Sequence, residues 1–427
     1  MSAVFKLIPT TQKYDWGKVG LSSKVAQYAA ACQLPGFTLE EDAPYAELWM
    51  GTHHSSPSCL LDSPSQEKLS DYLAAHPELL GSRVIERFRS EGAAEGNLPF
   101  LFKILAIEKA LSIQTHPDKE MALRLHNERP DVYKDANHKP EMALALTPFQ
   151  AMCGFLPLAR IADYIVDTHE FAALIPQAIR EQFLSIASSD DSTGPAEKKA
   201  LKDLFTAVMT AQEAVFKPEL EKLVARYQSG GAKASEKEVV ELALRLNSQF
   251  PGDIGVFCAF ILNHLVLKPG EAIFLAAGEP HAYVSGDIAE CMATSDNVIR
   301  AGLTPKLRDV PNLVAGLTYN SANASKHLVE PRAFDSASHS MLYDPPIPEF
   351  SVVRAAVPAG ETEIHPPVDG PSIAIVTSGK GSIAWGSSDE LQLSEGVVFF
   401  IGAGHEVRLA AGGEGEFVIH RAFVEAK

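Results

Sequence analysis

The spacing of apolar positions divides the chain into regions of different period. From residue 1 to about 155, short apolar runs such as Leu98 to Ile107 (LPFLFKILAI) and Glu141 to Leu146 (EMALAL) are punctuated by Pro, Gly and Asn. Runs of that length between turn formers predict strands with a few helices among them. From about Leu156 to Phe250 the period lengthens. Leu201, Leu204, Phe205 and Val208 recur at helical spacing, as do Val239, Leu242, Ala243 and Leu246. This block is predicted helical, broken by the polar loop Ser188 to Pro195 (SSDDSTGP) and ended by Pro251-Gly252.

Strand signals then return. Val256 to Val284 (VFCAFILNHLVLKPGEAIFLAAGEPHAYV) reads as successive strands with Pro269-Gly270 as a turn. Pro345, Pro346 and Pro348 stiffen the stretch Tyr343 to Phe350, which marks a boundary. Beyond it the pattern is all β, with a hairpin candidate around Gly379-Lys380-Gly381 and a buried strand in Gly396 to Val407. A weak repeat links Pro269 to Tyr283 (PGEAIFLAAGEPHAY) with Glu395 to Val407 (EGVVFFIGAGHEV), as if two small barrels shared a turn. Only the first copy has ligand-type partners elsewhere in the chain, so His405 in the second is expected to be structural.

The expected architecture is mainly β with an inserted α-helical block: two jelly-roll-like β-barrels plus a helical domain. Residues 1–155 and 253–343 would form the β domain that carries the site, 156–252 the insertion, and 344–427 a C-terminal β domain. A length of 427 residues fits two or three such units. Units of this size can bury their own surfaces, and a monomer is expected.

Charge narrows the function classes. Asp and Glu outnumber Lys and Arg by 54 to 37, for a net charge of -17, which argues against nucleic acid or an anionic membrane as partner. An anionic substrate would need a local basic pocket. No run of eighteen apolar residues spans a bilayer, and the opening MSAVFKLIPTTQKYDWG lacks the apolar core of a signal peptide, so a cytoplasmic location is expected. Cys32, Cys59, Cys153, Cys258 and Cys291 are odd in number and never form a CxxC pair, against both a disulfide framework and a thiolate metal site.

Candidate chemistry centres on four side chains. Gln114 and His116 in LSIQTHPDKE are two apart, which in an extended strand puts both on one face. Glu141 opens a strand in NHKPEMALAL, and His281 follows Pro280 in GEPHAY, where a rigid turn can aim an imidazole inward. Two imidazoles, a carboxylate and an amide oxygen suit one borderline cation: zinc first, iron or manganese as alternatives.

These segments, with YAELWMGTH (Tyr45 to His53), LPFLFKIL (Leu98 to Leu105), DANHKPEMALALTPF (Asp135 to Phe149) and GEPHAYVSGDIAECMATSDNVIRAGLTPK (Gly278 to Lys306), closely resemble the zinc-dependent type I phosphomannose isomerases of the cupin superfamily. The resemblance runs nearly end to end. It implies one Zn2+ held by Gln114, His116, Glu141 and His281, and an essential arginine at Arg300. It also implies reversible interconversion of mannose 6-phosphate and fructose 6-phosphate, which supplies GDP-mannose synthesis.

Moving a proton between C1 and C2 through an enediol needs a base, and Glu290 or Lys139 could serve once its pKa is displaced by burial or by neighbouring charge. Ser112, Lys103 and Lys306 are candidate donors to the phosphate. Trp16 and His53 could wall the sugar. Two other readings stay open. One is a mononuclear iron oxygenase on the same scaffold, against which Gln114 as a fourth ligand argues. The other is a non-catalytic sugar-binding barrel, against which Arg300, Glu290 and Lys139 together argue.

Overall fold

The computed structural model describes residues 2–188 and 191–426. Met1, Lys427 and two residues of the polar loop, Ser189 and Asp190, lie outside the described residues. The first barrel is organised by one long strand, His281–Ala293. Its first half pairs with Phe149–Phe155 and sets His281 opposite Gln114 of the strand Ile113–Thr115. Its second half pairs with Phe100–Ile107 on one side and Glu141–Ala145 on the other. The change of partners falls at Gly286, whose φ of 114° and whose approach to the Pro148 carbonyl, 2.5 Å from where a Cβ would lie, exclude any other residue.

Strand Phe100–Ile107 is buried at every position, Lys103 included, which explains why its sequence shows no alternation. Strand Ile299–Gly302 completes the site by pairing with Ile113–Thr115, Arg300 facing Gln114 across the ladder.

The C-terminal barrel packs an eight-stranded sheet against a four-stranded one, with Val376, Phe399, Ile401, Ile383 and Leu409 in the shared core. The eight-stranded sheet is completed from the other end of the chain. Val4–Ile8 pairs with Val398–Ile401, and Cys59–Leu60 lies outside it.

Two expectations are corrected. Ser372–Ser378 and Lys380–Trp385 are strands, but they do not pair with each other. Gly379, at φ 76°, hands the chain from one sheet to the facing one, and a Cβ there would lie 2.2 Å from the Glu416 carbonyl oxygen. The apolar run Ile254–Phe260 is a 3-10 helix, not a strand. All seven residues are buried, so no periodicity was available to tell the two apart. Asp253 caps it by accepting from Gly255 N at 2.6 Å, and the same carboxylate accepts from Leu303 N and Thr304 N.

The helical block runs from Leu158–Asp167 to Val240–Gln249, and Leu201, Leu204, Phe205, Val208, Leu242 and Leu246 face its core as their spacing predicts. An arginine clamp fastens it. Arg226 donates to both oxygens of Glu170 (2.8 and 2.9 Å) and to both of Glu236 (2.7 Å each), while Glu236 also accepts from Thr168 Oγ1 and Lys233 N. Burial alone would push the Glu236 carboxyl up, but Arg226, Lys233 N and Thr168 outweigh it and hold the pKa at about 2, against 4.5 ordinarily.

A carboxylate with a depressed folded-state pKa contributes stability that is complete above pH 4.5 and lost as pH falls toward about 2. Glu236→Gln should therefore destabilise the chain by on the order of 2 kcal/mol at pH 7. In thermal melts the gap from wild type should shrink between pH 5 and about pH 2.5; a gap that stays constant would show that this carboxylate's ionisation is irrelevant to folding.

Candidate metal centre and its cavity

His116, Glu141 and His281 converge from three separate segments into one buried cluster. The Glu141 carboxylate lies between the two rings, Oε1 3.3 Å from His116 Nε2 and Oε2 3.3 Å from His281 Nε2. The ring centroids are 5.2 Å apart. Each imidazole is oriented from behind by a backbone carbonyl, which can only accept: His116 Nδ1 donates to Asn297 O at 2.6 Å and His281 Nδ1 to Glu279 O at 3.0 Å. That assigns the proton to Nδ1 and leaves each Nε2 a bare lone pair. Both Nε2 atoms are buried and have no hydrogen-bond partner. Orphaned acceptors around a carboxylate are what a cation would satisfy.

Electrostatics favour the same state. Burial pulls the His116 pKa down to about 4, so the ring is neutral at neutral pH. Burial works against ionisation of Glu141, yet Lys139, with Nζ 3.1 Å from Oε1, keeps its carboxyl well below the usual range. Gln114 joins the group through the ladder, since its partner in the register is His281 and directly opposed residues share a face.

Gln114, the register partner of His281, also lines a cavity of about 490 Å³ whose wall includes Trp16, Ser112, Arg300 and Lys306. Arg300 is half-buried, and no charged neighbour among the described residues acts on its guanidinium. An unpaired arginine facing a cavity in so acidic a chain is a site for an anion. Trp16 is held by its own carbonyl, which accepts from Glu108 N and Lys109 N, and its ring stacks on Tyr14 at 5.9 Å.

Four of the sequence candidates are buried and do not line this cavity. Lys103 is buried between Glu47 (3.5 Å) and Glu290 (3.3 Å), 4.7 Å from the centroid of the Trp49 ring, and two carboxylates therefore engage the charge expected to meet a phosphate. Glu290 is buried on the central strand, where desolvation and the Glu141 charge push its carboxyl up. Lys139 leans on Glu141. His53 is buried with Nε2 3.3 Å from Asp296 Oδ1 and its ring edge-on to Trp49.

Sequence reasoning missed Lys13, Glu47 and Lys109 on the same cavity. It also missed Phe250, which caps the helix Val240–Gln249, lines the cavity and carries Lys109 Nζ 4.4 Å from its ring centroid. Glu47 was in view inside YAELWMGTH, but nothing in that segment announces a partner as distant as Lys103. His405 stands half-exposed in a turn and belongs to no donor cluster among the described residues.

Sequence models for type I phosphomannose isomerase match the catalytic domain over residues 4–158, the helical insertion domain over 174–262 and the C-terminal domain over 340–388. Mannose-6-phosphate isomerase of Cryptococcus neoformans is 48% identical over 99% of both chains. The chain belongs to the type I phosphomannose isomerase family. The Saccharomyces cerevisiae mannose-6-phosphate isomerase is 44% identical, again over 99% of both. A zinc-bound mannose 6-phosphate isomerase superimposes with a TM-score of 0.80 at 28% identity, and a point variant of the Salmonella typhimurium phosphomannose isomerase with 0.81 at 28%, each over 99% of this chain and 100% of the other.

The convergent cluster makes a direct prediction. Glu141→Gln, isosteric but neutral, should weaken divalent-cation binding by at least about 100-fold. His405→Ala should leave it untouched. Equilibrium dialysis with metal analysis measures both, and loss of metal from the His405 variant would relocate the site.

Proposed function

We propose that the chain is an aldose-ketose isomerase that interconverts mannose 6-phosphate and fructose 6-phosphate through an enediol, with one Zn2+ held by Gln114, His116, Glu141 and His281. The observation that carries this reading is the pair of buried, unpartnered Nε2 atoms flanking Glu141 beside the unpaired Arg300. The donor set suits zinc, having two imidazoles, a carboxylate and an amide oxygen with no thiolate. Zinc, when bound, supplies a Lewis acid that polarises or orders the sugar oxygens.

The chain's own residues do the rest. Arg300 offers two parallel N–H donors to the developing enediolate oxygens or to the phosphate. Ser112 and Lys306 stand on the same cavity as donors to the phosphate, and Trp16 as an apolar wall for the sugar. Lys103 works at one remove, holding Glu290 through their 3.3 Å ion pair. Glu290 is the stronger claimant for moving the proton between C1 and C2, because burial raises a carboxyl toward neutrality, where a general base works best. Lys139 is then left to hold Glu141 and to meet the sugar oxygens.

Five unpaired cysteines fit a reducing compartment, which supports a cytoplasmic location. No described helix is long and apolar enough to cross a membrane. A monomer remains the assembly expected of a chain that buries its own barrels.

Chelation should abolish turnover of mannose 6-phosphate in a coupled assay, and stoichiometric zinc should restore it. Arg300→Ala should keep the metal and lose about 100-fold to 1,000-fold in kcat; metal loss in that variant would refute the role given to Arg300. Glu290→Gln should stop solvent deuterium from entering the substrate carbon while Lys139→Met still permits slow exchange, and the reverse result would make Lys139 the base.

A further inference from the structure

Outside the metal centre, the most unusual charged group is Glu349. It lies in the proline-rich connection between strands Ser340–Tyr343 and Ser351–Val357 of the C-terminal barrel, one residue after Pro348. Its side chain is fully buried. Its Oε1 is 2.6 Å from His138 Nε2 and 3.4 Å from Lys119 Nζ, whereas Oε2 is buried with no hydrogen-bond partner. Lys119 in turn donates to Glu91 Oε1 at 3.0 Å, and Glu91 Oε2 is likewise buried and unpartnered.

A half-satisfied buried carboxylate is a poor device for stability, since an apolar side chain of the same volume would serve as well or better. What distinguishes Glu349 is what its two partners adjoin. His138 directly precedes Lys139, two residues before Glu141. Lys119 opens the helix Lys119–Glu128, three residues after His116. On its other side the same segment is already stitched to the metal centre. Asn297 Nδ2 donates to the carbonyls of Asp135 and Asn137, while the Asn297 carbonyl accepts from His116 Nδ1. Glu349 ties the 135–139 segment from the other edge, through His138.

We propose that Glu349 is a positioning residue for the isomerisation: from the C-terminal barrel it fixes His138, and through it the placement of Lys139 and Glu141. The inference rests on the isomerase reading above. It gives the C-terminal barrel a part in catalysis without placing any of its residues on the substrate. The prolines matter because a stiff connection aims the carboxylate with little freedom to lose.

The test compares wild type, Glu349→Ala, Glu349→Gln and His138→Ala as zinc-loaded full-length chains, reading kcat, KM, bound zinc and melting temperature. Glu349→Ala should lower kcat by about 10- to 100-fold through misplacement of the reacting groups, with KM within about twofold. Zinc should stay at one per chain. Glu349→Gln, whose amide oxygen still accepts from His138, should keep most of the wild-type kcat. His138→Ala breaks the same contact from the other side, so it should reproduce the kcat loss, and the double variant should lose no more than either single one. Should Glu349→Ala fail to fold, Glu349→Gln and His138→Ala decide the matter alone. Full kcat in a folded Glu349→Ala or His138→Ala, a loss confined to KM, or a loss matched by missing zinc would overturn the proposal. If wild type itself does not turn over mannose 6-phosphate, the isomerase reading fails instead.

Discussion

Everything in the catalytic barrel is arranged around one carboxylate set between two imidazoles that turn bare nitrogens toward it. Such a group is unfavourable in a dry interior unless a cation completes it, because the two Nε2 lone pairs have lost water and gained no hydrogen bond in return. The constraint spreads outward. For each Nε2 to stay unprotonated, each Nδ1 must donate its hydrogen bond to a carbonyl at the right place, and those carbonyls belong to Glu279 and Asn297, which precede and follow the central strand in the chain. The positions of whole loops are thus dictated by two hydrogen bonds.

The topology accommodates an insertion of just over a hundred residues without disturbing this arrangement. The chain leaves the barrel at Phe155 and returns at Leu262, and these two residues are register partners on adjacent antiparallel strands. Topologically the helical block is a very long hairpin loop, and the entropy of closing such a loop rises only slowly with its length. It is not passive. Gln249 Oε1 accepts from Ala110 N at 2.9 Å, so the end of the last helix steadies the segment that presents Ser112 to the cavity.

Much of this was legible in the residues. Helical period located the insertion because each of its helices buries one stripe. The convergence of His116, Glu141 and His281 was legible from their motif segments taken together, though the spacing of Gln114 and His116 alone is common in ordinary strand edges. Runs buried on every side were not legible, and Ile254–Phe260 passed for a strand because a seven-residue apolar run carries no period. Nor was pairing: two good strands flanking Gly379 look like a hairpin until the turn is seen to join facing sheets. Lys103 shows a third limit. Its segment matched the family, yet its distance from the cavity depends on Glu47 and Glu290, which lie far from it in the chain.

The placement of the first strand bears on how the molecule is made. Val4–Ile8 is translated before its partner Val398–Ile401, which lies about 390 residues further along the chain. At translation rates of about 5–20 residues per second, the wait is roughly 20–80 s. During that interval the amino-terminal strand is an unpaired edge, open to any chaperone or to a second nascent chain. A chain cut short before Val398 leaves that edge open, so closure of this sheet requires both segments.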